Sequence, residues 1–237
     1  MHTIHTSIAI TAMLAANAYS AVHQVTGTAA IWTIDFERFA FGPPLTDELD
    51  FNSTNAPANF SQWDVDHTEN FQTATGSVQH HSSLTDTGFD VNILLQASTN
   101  PGDLFYEQYS IDCYSDVIVD FVVTSSTTYA LNASMDAQSS PTSGAAAELY
   151  LRSTDSGTFS YTPSTTAGPL AINESFTLDP GSYSFIVRAD LNGGGTGVVD
   201  QHDLLASFNG SLTIVPAPST ATLLAAAGLL TTRRRRT

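Results

Sequence analysis

The chain has 237 residues and a formal charge of −16, from 7 basic and 23 acidic side chains, and it contains no lysine. Four of the seven arginines stand together as Arg233, Arg234, Arg235 and Arg236, which leaves three arginines against 23 carboxylates in the remainder. That field repels phosphate and excludes nucleic acid as a partner. A single cysteine, Cys113, excludes an internal disulfide framework and a Cys-based zinc site.

At the N-terminus an apolar run over residues 8–16 precedes Ala16-Asn17-Ala18, small residues at the −3 and −1 positions of a signal-peptidase cut. Nine residues fit a secretory h-region and fall well short of a bilayer span. The stretch ahead of it carries only His2 and His5 where basic residues are usual. Residues 1–18 therefore read as an export signal, and 19–215 as one extracellular domain.

Residues 38–83 are rich in Asn, Ser, Thr and Asp. They read as long loops with one or two outer strands of the same domain, because they lack the apolar density for a core of their own. From there on, alternation of period two dominates. Phe89, Val91, Ile93 and Leu95 share one face of a strand. Val117, Val119, Phe121 and Val123 share another, with Ile118 and Val122 on its reverse, so 117–123 is expected to be central and Phe121 buried. Tyr129, Leu131, Ala133 and Met135 follow, then Leu149 and Leu151. Asp179-Pro180-Gly181-Ser182 has the chemistry of a type II turn between two further strands. Leu212 and Ile214 end the body before Pro216 and Pro218, which cannot continue a strand. At least seven short strands with Gly, Pro, Ser and Asn turns predict an all-β, antiparallel β-sandwich, jelly-roll or immunoglobulin-like.

Residues 219–232 carry no charge and favour a short apolar helix of about 21 Å, ahead of the four arginines. An export signal, an extracellular body, Val215-Pro216-Ala217-Pro218, this helix and the arginine cluster together resemble the PEP-CTERM sorting-domain proteins of bacteria. Ala217 stands where that family usually has Glu. The resemblance covers residues 216–237 and implies an exported surface or biofilm-matrix protein, held transiently in the inner membrane and processed by an exosortase-like protease. Pro216, Ala217 and Pro218 would be the recognition motif, with Arg233, Arg234, Arg235 and Arg236 on the cytoplasmic side.

Few residues point to chemistry. Asp190, Asn192, Asp200 and Asp203 surround four glycines and partly resemble an EF-hand-type loop, which would present oxygens to Ca2+. The competing reading of that stretch is the tip of the last β-hairpin, with no cofactor. His80 and His81, with Asp66 and His67 upstream, are metal-ligand types, but neighbours on a strand point to opposite faces and cannot share an ion. Cys113 lies between Asp112 and Asp116, which oppose a thiolate. No nucleophile elbow, zinc-protease motif or phosphate loop occurs. The expected function is thus non-enzymatic. The alternative is a carbohydrate-binding module for exopolysaccharide, with Phe60, Trp63 and Tyr106 as exposed stacking platforms. A jelly-roll hydrolase with paired carboxylates, such as Asp64 and Asp66, ranks behind both.

Overall fold

The computed structural model describes residues 23–40, 46–71, 74–99, 107–140, 143–155, 157, 159–196 and 202–216. Thirteen strands fill them: β1 (His23–Ala40), β2 (Thr46–Asn55), β3 (Gln62–Phe71), β4 (Ala74–Thr85), β5 (Gly88–Thr99), β6 (Glu107–Val123), β7 (Thr127–Gln138), β8 (Gly144–Ser153), β9 (Ser160–Tyr161), β10 (Ser164–Thr165), β11 (Leu170–Leu178), β12 (Gly181–Thr196) and β13 (His202–Ile214). They form two antiparallel sheets packed face to face as a sandwich. The seven-stranded sheet runs β10-β8-β12-β6-β1-β2, with β9 beside β8, and the six-stranded sheet runs β11-β7-β13-β5-β4-β3.

The alternation of the sequence becomes the inner and outer faces of these sheets. In β5 every second residue from Phe89 to Ala97 is buried, and in β7 Tyr129, Leu131 and Met135 are. As expected, β6 is central, between β12 and β1, and Phe121 is fully buried. It packs edge-on against Phe89 at 5.3 Å and stacks on Tyr183 at 5.7 Å. Each sheet is closed at its middle by strands remote in sequence, β6 with β12 and β5 with β13.

Two expectations are corrected. Residues 38–83 are mostly strand, the end of β1 with all of β2, β3 and nearly all of β4. Their apolar density is low because β2 and β3 are the edge strands of the two sheets, where even the inward side carries Asn52, His67 and Glu69. The chain also does not make a hairpin at Asp179–Ser182. β11 and β12 lie in different sheets, so the chain arches across the core, and Gly181 is not among the glycines with positive φ that a type II turn requires. The Tyr183 hydroxyl donates to the Asp179 carbonyl at 2.8 Å and secures that arch. At the other end β13 stops at Ile214, and the Val215 amide donates a last bond to Thr128 at 2.9 Å.

Candidate functional site

The outer face of the six-stranded sheet carries a polar band that runs from β3 to β7. Cross-strand pairing sets Asp64 beside His81, His81 beside Asn92, Asn92 beside Asn209 and Asn209 beside Ser134, one residue from each of five strands. A parallel row places Gln62, Ser83, Asp90, Ser211 and Asn132 alongside. Together they line an open depression of about 540 Å3. Among the described residues no Phe, Tyr or Trp points outward from this sheet. Its working groups are amides, hydroxyls and a few carboxylates, able to offer paired donors and acceptors to a polyhydroxylated ligand.

One rim of the depression is charged. Gln62 Nε2 donates to Asp64 Oδ2 at 2.6 Å, and His81 Nδ1 lies 3.2 Å from Asp64 Oδ1. These bonds, the Gln62 one first, hold the Asp64 carboxyl below its ordinary value. Asp66 stands 3.9 Å from the other nitrogen of His81. His80 points the opposite way, so the two histidines are divided between core and solvent as their adjacency requires. Its Nδ1 shares a hydrogen bond of 2.8 Å with Ser115 Oγ across the sandwich. Burial first, then the charge of His81, lowers its pKa to about 4.

The sequence-derived site residues fare differently. Phe60 and Trp63, expected as exposed stacking platforms, are 7% and 8% exposed and belong to the core. Trp63 packs edge-on against His80 at 4.6 Å because β3 turns that position inward. Phe60 is among the residues lining a smaller depression of about 440 Å3, beside Asn59 with φ of 57°. Tyr106 lies outside the described residues.

Asp190 and Asn192 do not sit in a curled loop. They lie on β12, paired on both sides with β6 and β8, and an extended strand cannot wrap a cation. Asn192 donates to Asp112, while burial raises the carboxyls of Asp190 and Asp112. Asp203 lies on β13, in the other sheet, and Asp200 is outside the described residues. Among the described residues no three His, Cys, Asp or Glu side chains gather around one point. Cys113 is 1% exposed, and burial followed by the charges of Asp112 and Asp190 raises its thiol to about 12, which makes it inert. Of the sorting motif, Val215 and Pro216 are described and exposed, whereas Ala217, Pro218 and Arg233 to Arg236 are not described. No helix among the described residues is long and apolar enough to cross a membrane.

The polar row itself escaped sequence reading. Asn92, Asn132 and Asn209 each follow a buried apolar residue, so their outward direction was legible. Their meeting across three neighbouring strands depends on register, which no local pattern carries.

Comparison with known proteins adds little. No family model matches, and no curated protein does. Among solved structures the chain is similar to a carbohydrate-binding module, TmCBM61, solved in complex with β-1,4-galactotriose, at 9% identity and a TM-score of 0.22, over 48% of this chain and 80% of that one. It is similar to the VP2 subviral particle of infectious bursal disease virus at 9% identity and a TM-score of 0.20, over 91% of this chain and 74% of that one. Neither likeness assigns an activity to this chain.

Proposed function

We propose that this chain is an exported, non-catalytic protein of the bacterial cell surface or biofilm matrix that binds exopolysaccharide along the outer face of its six-stranded sheet. The observation that carries the reading is the two-row ladder of Asn, Ser, Asp, Gln and His side chains across five strands, lining an open depression of about 540 Å3. A sheet face presents its side chains about 4.8 Å apart across strands, a spacing suited to repeated hydroxyls on an extended glycan. With no aromatic platform among the described residues of this face, the affinity rests on hydrogen bonds. Each contributes on the order of 1 kcal/mol, so binding is weak per site and gains from repetition along a polymer. On a glycan array the purified protein should retain neutral polysaccharides. Replacing both Asn92 and Asn209 with alanine should weaken retention about tenfold, equivalent to about 1.4 kcal/mol. Equal retention by wild type and double variant would remove binding from this face, and no retained glycan at all would leave a purely structural matrix protein.

The route outward in this proposal is the one implied by the PEP-CTERM resemblance: residues 1–18 direct export, 216–237 anchor the chain transiently, and an exosortase-like protease releases it. The apolar segment gains from lipid, and each arginine near an anionic inner leaflet adds about 1 kcal/mol. Replacing the four arginines with serine should therefore shift the protein from the membrane fraction towards the soluble fraction, measured by cell fractionation. An unchanged distribution would count against the anchor.

A further inference from the structure

We propose that Asn52, His67 and Glu69 form a transition-metal site of the zinc class that clasps the edge strand of one sheet to the edge strand of the other. Asn52 comes from β2, at the edge of the seven-stranded sheet, while His67 and Glu69 come from β3, at the edge of the six-stranded sheet. The two β3 residues are two positions apart and so share one face of the strand. Their polar atoms make a nearly equilateral triangle. His67 Nε2 lies 3.1 Å from Glu69 Oε2, and the Asn52 amide nitrogen lies 3.2 Å from the first and 3.3 Å from the second.

Three hydrogen bonds cannot all be made on this triangle while Glu69 is a carboxylate. If the amide donates to both partners, the lone pairs of Nε2 and Oε2 face each other at 3.1 Å. If Nε2 carries the proton and donates to Glu69, two N–H groups confront each other along the 3.2 Å edge. A cation resolves all three edges at once. With the Asn52 amide turned over, Oδ1 takes the place of the nitrogen, and one nitrogen and two oxygens point their lone pairs at a common centre. Corners of a tetrahedron with bonds of about 2.0 Å are about 3.3 Å apart, which matches the triangle and leaves a fourth position open. An imidazole beside a carboxylate favours zinc and its neighbours over calcium.

The surroundings suit such a role. The Trp32 indole, 3% exposed, stacks on the His67 ring at 4.6 Å and fixes its plane. The side chains of His67 and Glu69 are 30% and 29% exposed, so an ion has a path in from solvent. The site is distinct from the outer-face cluster of Asp64, Asp66 and His81, which points away from the core.

Isothermal titration of the chelator-stripped full chain with ZnCl2 tests the proposal, with CaCl2 as the comparison. Zinc is expected to bind at least tenfold more tightly than calcium. Asn52→Ala and His67→Ala should each weaken zinc by tenfold or more, while Asn52→Asp, which keeps the shape and adds an anionic oxygen, should tighten it. His81→Ala should change nothing. The proposal is overturned if zinc gives no heat, if its affinity survives Asn52→Ala and His67→Ala, or if His81→Ala abolishes it. Should His67→Ala unfold the chain, the opposed effects of the two Asn52 variants decide the matter.

Discussion

Acidification from pH 7 to pH 4 should remove several kcal/mol of folding stability, chiefly through two buried histidines. His23 is 4% exposed and His80 is fully buried, and burial is the chief cause that lowers each pKa from 6.5 to about 4. Each ring makes one hydrogen bond, His23 Nδ1 to the Tyr129 hydroxyl at 3.0 Å and His80 Nδ1 to Ser115, and each Nε2 is buried with no partner. A charged imidazolium would leave that second N–H unpaired in an apolar core. Between pH 6.5 and 4 the unfolded chain therefore binds more protons than the folded one, and stability rises with pH. It is fully present above about pH 6.5 and is lost at about 1.4 kcal/mol per pH unit for each histidine below it. Asp112 and Asp190, whose carboxyls are raised by burial, offset part of the loss just above their ordinary range. Urea titrations at pH 7, 6, 5 and 4.5 should show this slope. The His23→Gln, His80→Gln double variant should flatten it, whereas a wild-type stability that is level over this range would contradict the assignment.

Gly210→Ala should be among the most damaging single substitutions in the molecule, costing about 3 kcal/mol or more through overpacking. Gly210 on β13 lies directly opposite Ala133 on β7, with both positions turned inward. A Cβ added there would collide with the Ala133 methyl and would stand 2.9 Å from both the Ala133 Cα and the Asn132 carbonyl oxygen. Backbone cannot yield as a flexible side chain does, so β13 must shift away from β7 and disturb the bonds on either side. Adding Ala133→Gly removes the closest contact but not the two at 2.9 Å, so it should restore only part of the lost stability. A thermal midpoint for Gly210→Ala within about 2 °C of wild type would mean that the strands separate at little cost. The same pair of strands supplies Asn132, Ser134 and Asn209 to the polar depression, so the single variant should also weaken glycan retention.

The clearest sequence signals came from strands with one face buried. Phe89 to Leu95, Val117 to Val123 and Tyr129 to Met135 alternate because one side of each must meet the opposite sheet, and that pattern alone dictates an all-β chain. The division of His80 from His81 followed from the same period. Where burial is incomplete the signal failed. Residues 38–83 read as long loops with only one or two outer strands because edge strands need few apolar residues, and Trp63 read as exposed because its neighbours are polar, although the alternation of β3 turns it into the core.

The extended pairing of Asp190 and Asn192 was equally hidden. Glycine-rich sequence permits a loop as readily as a strand, and only β6 and β8 on either side decide between them. By itself the sequence determined charge, fold class and the end of the last strand, because these depend on composition, on a period of two and on two prolines. The tertiary structure decided which polar side chains meet. Asn92 and Asn209 are more than a hundred residues apart, and Asn52, His67 and Glu69 come from different sheets. Register and sheet packing bring such groups together, and both are set by contacts remote in sequence.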